Sequence, residues 1–302
     1  MAVSRPNHQW RIVRETLEQV GARFARLLTS VPPETMATRD WTVAETGAHV
    51  ASIAWLYTAI VRQDDAPHPM PSLAAPIAST NVDTVADVND LVLGSYSERD
   101  PAELARRLRA DIGQILRVTE QLDPATLIPW LGEARVPLAG LLAHLVNEMH
   151  LHGWDIARSG HVPWTIPPRE AALFFDLFLI GMIREDYGRL MDTGGPRRSG
   201  RIAVQFHSRY TAPATLVLRD GRVSVEEPSP RTDVHVAFDP PTLNLMLFGR
   251  VSRPKALLTG KIAVWGRRLW LLPPFLREVH LPANRRPRRH YPTAAGETVA
   301  DA

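Results

Sequence analysis

The chain contains no cysteine. A disulfide framework, thiolate metal ligands and a cysteine nucleophile are therefore excluded, and any sulfur nucleophile must arrive as a small-molecule thiol. Lysine is nearly absent, occurring only at Lys255 and Lys261. The basic residues are thus almost all arginine, and a pI of 9.6 coexists with a formal net charge of only +3. No basic stripe interleaved with aromatics is present, so nucleic acid is not an expected partner. No apolar run reaches the length of a membrane span, and the opening MAVSRPNHQWRIVRE lacks the apolar core of a signal peptide. The expected location is cytoplasmic, with no membrane partner.

What is present gathers in residues 141–160, LLAHLVNEMHLHGWDIARSG. At 3.6 residues per turn, His144, Glu148 and His152 stack on one helix face, with Asp155 close to it and His150 pointing away. Two imidazoles and two carboxylates on one face are costly to bury unless something binds them. One helix rarely completes a metal site, and His49, in WTVAETGAHVASIAWLY, is available on a second predicted helix. His49, Glu148 and His152 would suit a catalytic zinc or similar divalent ion with a coordination position left open. Spacing alone leaves two readings: a metal site, or ordinary polar and core histidines.

A tryptophan-led helix containing Ala48-His49, followed later by Glu148 and His152-Gly153-Trp154-Asp155, resembles the DinB-like superfamily. Within it, the pattern is most similar to the mycothiol-dependent maleylpyruvate isomerase and S-transferase family of actinobacteria. The resemblance covers roughly residues 8–190. It implies a four-helix bundle holding a divalent metal, zinc foremost, through His49, Glu148 and His152. It implies no ligand role for His144 and leaves the catalytic residues unassigned. It also implies mycothiol as the thiol cosubstrate and an electrophilic small molecule as its target. The metal-bound thiolate would add and stay, giving S-transfer, or add, permit bond rotation and leave, giving cis–trans isomerisation. Asp155 is either a hydrogen-bond acceptor orienting His152 or part of a helix-surface salt bridge. Two other classes stay open: a metal hydrolase activating water, and a non-enzymatic carrier of apolar ligands.

The chain divides by its hydrophobic period. Helical stripes fill 7–30, 42–61, 101–122, 137–160 and 168–190. Thr42 with Glu45, and Asp100 with Glu103, read as capping boxes. Residues 64–82, with four prolines, read as a long connection that could serve as lid or rim. Glycines 194, 195 and 200 mark a linker. Beyond it the period becomes two, over 202–206, 215–218, 223–225 and 234–238, with Asp220-Gly221 as a hairpin turn. A short helix from Pro240 and a strand over 261–266 follow. This is an α+β order in two domains: a DinB-like helical bundle over 7–192 and a smaller α+β domain over 200–283. The tail, 284–302, has the composition of a disordered segment. Residues 200–283, closing on Gly260-Lys261-Ile262, look like a sterol-carrier-protein-2-type domain, which implies an apolar ligand held between sheet and helices. Leu243, Leu247, Trp265 and Trp270 are read as core rather than as the wall of such a site. The assembly is expected to be a monomer or homodimer.

Overall fold

A computed structural model describes residues 5–62, 70–192 and 199–281. Gly194 and Gly195 of the expected linker and the whole 284–302 tail lie outside the described residues. Helix α1 (Arg5–Leu28) buries Val13, Leu17, Val20, Phe24 and Leu28. Helix α2 (Val43–Arg62) starts at the expected capping box. The Thr42 N–H donates to Glu45 Oε2 at 2.8 Å, and the Glu45 N–H donates to Thr42 Oγ1 at 3.2 Å. After a 3₁₀ turn (Pro71–Leu73) come α3 (Ala74–Ser79), α4 (Val85–Ser95) and α5 (Pro101–Val118). A small hairpin, β1 (Leu127–Pro129) with β2 (Arg135–Pro137), leads into α6 (Leu138–Ser159). Helices α1 and α2 each pack on both α5 and α6, which closes a four-helix bundle.

Several elements differ from expectation. The connection over 64–82 carries a 3₁₀ turn and α3 from Pro71 onward, and α4 follows where no helix was expected. Helix α4 buries Val85, Val88, Val92 and Leu93, a spacing whose helical signal is weakened by β-branched residues. Helix α5 ends at Val118 rather than 122, where the Thr119 hydroxyl bonds the Ile115 carbonyl. Its capping box is half formed. Asp100 accepts from the Glu103 N–H, but Glu103 turns its own carboxylate to Arg106 and Arg107.

The helix expected over 168–190 stops at Glu185 and is interrupted. Helix α7 (Pro168–Leu173) opens into a π-helical turn over Phe174–Leu179 before α8 (Ile180–Glu185). The extra residue in that turn divides the aromatics. Phe174 and Phe178 stack on each other at 5.2 Å, while Phe175 packs on Phe206 and Phe238 of the sheet.

The sheet has the order β5-β4-β3-β6-β7: β3 (Arg201–His207), β4 (Ala214–Arg219), β5 (Arg222–Glu226), β6 (Val234–Phe238) and β7 (Ile262–Trp265). All pairs are antiparallel except β3 with β6. Asp220 and Gly221 both take positive φ, as a tight two-residue hairpin requires. Helices α9 (Pro240–Leu247), α10 (Arg253–Leu258) and α11 (Leu272–Glu278) complete an α+β arrangement with a helical N-terminal part. Leu243 is core, but Trp265 is 47% exposed and Trp270 67% exposed, so these two are not core as expected. Trp265 lies on the open face of edge strand β7, stacked on His207 and His235.

Two packing details give predictions. A Cβ at Gly140 of α6 would lie 2.5 Å from the Leu177 carbonyl oxygen in the π turn. Backbone cannot yield there, so the overpacking of Gly140→Ala outweighs alanine's helix preference. We expect a net loss of roughly 1 kcal/mol, read as a lower denaturant midpoint. Separately, burial pushes the half-buried Asp111 carboxyl up to about 6, although Thr58 and Arg107 favour its ionised form. The folded state then holds a proton that the unfolded chain, titrating near about 3.9, has lost, so stability falls as pH rises through that window. Asp111→Asn should therefore stabilise the fold by about 1 kcal/mol at pH 8, after discounting for solvent screening. The gain should vanish near pH 4 in denaturant titrations.

Candidate metal centre

Helix α6 is apolar nearly all round and is buried on nearly all sides. Its polar face is therefore driven inward with the rest. Glu148 and His152 sit one turn apart on that face, and His49 arrives from α2, which packs directly on α6. His49 is 3% exposed, Glu148 8% and His152 7%. His49 Nε2 lies 3.3 Å from Glu148 Oε2, and His152 Nε2 lies 3.4 Å from the same oxygen. One donor atom from each residue falls within 4.8 Å of the others. A tetrahedron with bonds of about 2.0–2.1 Å has edges of about 3.3 Å. Two of the three donor separations already match that edge, and the donor types suit zinc. The residues present fit the group.

Around this set the partners are specific. His152 Nδ1 lies 3.2 Å from Asp155 Oδ2. Asp155 is 3% exposed, so the helix-surface salt bridge does not apply to it. Its carboxylate is gripped by Arg250, which follows α9 and sends Nε to both oxygens at 3.1 and 3.2 Å. The His152 imidazole thus sits between the donor site and the Asp155 carboxylate, whose charge raises its basicity. Burial opposes ionisation of Glu148, yet hydrogen bonds with His152 and His49 and the nearby His144 hold its carboxyl well below the usual range. Burial pushes His49 down. For His152 burial acts the same way, but Asp155 and Glu148 outweigh it and raise the imidazole.

The set forms one wall of a cavity of about 810 Å³. Trp41, Leu56 and Leu151 line it from the bundle, Phe174 and Phe178 from the π turn, and Phe248 and Arg250 from beyond α9. A donor cluster inside a mostly apolar cleft, with a few convergent polar groups, is the usual form of a small-molecule site. His150 is buried on another face, its Nε2 3.0 Å from Glu170 Oε2. Sequence reading did not pick out Arg250, Tyr57 or Trp130. Arg250 lies ninety-five residues from its partner, and no local pattern marks it.

Residues 17–157 match a known family, the mycothiol maleylpyruvate isomerase N-terminal domain. The helical part of this chain is similar to that domain family. The match takes in His49, Glu148 and His152 and ends before the sheet. Among solved structures, the chain is similar to a mycothiol-dependent maleylpyruvate isomerase at 14% identity, covering 83% of this chain and 91% of that one, with a TM-score of 0.45. It is also similar to apo sterol carrier protein 2 from Yarrowia lipolytica, at 19% identity over 23% of this chain and 64% of that one, TM-score 0.19. A third similarity is to the inverting sec-alkylsulfatase Pisa1 from Pseudomonas sp., at 16% identity over 71% and 30%, TM-score 0.23. No curated protein matches the chain. Among the described residues, no helix is long and apolar enough to cross a membrane.

If the three residues are ligands, purified protein should carry one zinc per chain by elemental analysis. His49→Ala and Glu148→Gln should lose it while keeping a wild-type circular dichroism spectrum, and His150→Ala should retain it. Full metal in both ligand variants would remove the site.

Proposed function

We propose that the protein is a divalent-metal-dependent enzyme in which a low-molecular-weight thiol of the mycothiol type attacks an electrophilic small molecule. One observation carries this reading: a buried His–Glu–His donor set opens into an apolar cleft, in a chain with no sulfur nucleophile of its own. Similarity of the bundle to a mycothiol-named domain family supports the choice of thiol. A divalent ion held by His49, Glu148 and His152 would acidify an incoming thiol and so supply the thiolate nucleophile.

The protein's own groups do the rest. Asp155, neutralised by Arg250, fixes the His152 ring so that Nε2 faces the cleft. Trp41 packs at 4.7 Å against the His49 ring and holds it in place. Phe174, Phe178 and Phe248 give the cleft an apolar wall that favours displacement of water by an organic electrophile.

Cobalt substitution tests the thiol step. Cobalt-loaded protein should develop a sulfur-to-metal charge-transfer band when mycothiol is added, with release of a proton. His152→Ala should not show the band. An unchanged spectrum at saturating mycothiol, with cobalt demonstrably bound, would reject the thiol mechanism in favour of water activation.

A further inference from the structure

His144 stands outside the donor set, yet its ring is the most closely framed in the cleft. Trp130 packs edge-on at 5.2 Å and Phe178 at 4.7 Å from its centroid, with Phe174 beyond at 6.3 Å. Its hydrogen bonds also have a direction. An indole N–H can only donate, and Trp130 Nε1 gives its hydrogen to Tyr57 Oη at 2.8 Å. Tyr57 Oη in turn lies 3.0 Å from His144 Nδ1. Burial pushes the Tyr57 phenol up, so it keeps its proton. With its oxygen accepting from Trp130, that proton has His144 Nδ1 as its acceptor. Were Nδ1 the donor, the buried hydroxyl hydrogen would be left without a partner, which buried polar groups avoid. His144 is then the tautomer with its hydrogen on Nε2.

Nε2 faces Glu148. It lies 3.5 Å from Oε1, the separation of an electrostatic contact rather than a short hydrogen bond. Oε1 is the carboxylate oxygen that His49 and His152 do not share, since both face Oε2. The two oxygens of Glu148 are thus in different environments, one toward the donor set and one toward His144.

We propose that a directed hydrogen-bond chain from Trp130 through Tyr57 orients His144 so that its Nε2–H faces Oε1 of Glu148 electrostatically, leaving a single oxygen, Oε2, presented to the metal site. His144 is a positioning residue, and the proposal rests on the reading of His49, Glu148 and His152 as ligands. A carboxylate restrained in this way would offer a divalent ion one oxygen rather than two. Released from His144, it can rotate and offer both oxygens. Hydrogen-bond partners of ligands commonly govern metal affinity by 10–100-fold.

Two measurements test the chain, and the first needs no metal. In ¹⁵N-histidine-labelled protein, the His144 resonances should report hydrogen on Nε2 and none on Nδ1. Tyr57→Phe should abolish that preference. Hydrogen on Nδ1 in the wild type would overturn the proposal. The second measurement is zinc affinity by competition with a chromophoric chelator. His144→Ala and Tyr57→Phe should each weaken binding by about 10–100-fold. His144→Gln, which keeps an N–H donor at similar reach, should recover most of the loss, which a merely space-filling role would not produce. His144→Ala within twofold of wild type would overturn the proposal. Wild-type protein that binds no zinc would overturn the ligand reading instead, while the tautomer measurement would still decide the chain of hydrogen bonds.

Discussion

The structure turns on one buried carboxylate. Glu148 lies deep in a helix whose other faces are packed with leucine, valine and alanine, where an isolated negative charge is prohibitively costly. It is held there by imidazoles on three sides: His49 from α2, and His144 and His152 one turn below and above it on α6. Each imidazole needs its own support, and those supports reach across the molecule. His152 leads through Asp155 to Arg250 beyond α9. His144 leads through Tyr57 to Trp130 in the small hairpin. His49 leans on Trp41, just before the α2 capping box. Removing a partner from such a set leaves a buried charge uncompensated, which is costlier than never having buried it.

The parts of this arrangement that were legible in the sequence are those set by local spacing. His144, Glu148, His152 and Asp155 declare themselves by the 3.6-residue period, and Thr42 with Glu45 by the capping box. The change of period after residue 200 and the Asp220-Gly221 turn announce the sheet. What escaped depends on distant contacts. The π turn at Phe174–Leu179 has no compositional mark, because an all-apolar run fits an α-helix equally well. Helix α4 hid behind its valines. Arg250 looked like any arginine in an arginine-rich chain. Trp265 and Trp270 read as core because large aromatics usually are, yet an edge strand and a 3₁₀ turn leave them at the surface.

The π turn has an importance out of proportion to its length. The wider turn lets the one segment serve two interiors: Phe174 and Phe178 floor the cleft, and Phe175 anchors to Phe206 and Phe238. Such turns recur at functional sites. Here it ties the shape of the cleft wall to the packing of the sheet.

The Arg250–Asp155 pair bears on how the chain reaches its native state. His49, Glu148, His152 and Asp155 all come from the first 160 residues, and in the complete fold Asp155 is buried. The compensating guanidinium comes ninety-five residues later, just past α9. Without the segment that follows α9, Asp155 would keep His152 as a neighbour but lose the guanidinium that grips both its oxygens. The surroundings of the site are therefore complete only in a molecule whose C-terminal part has folded against the bundle.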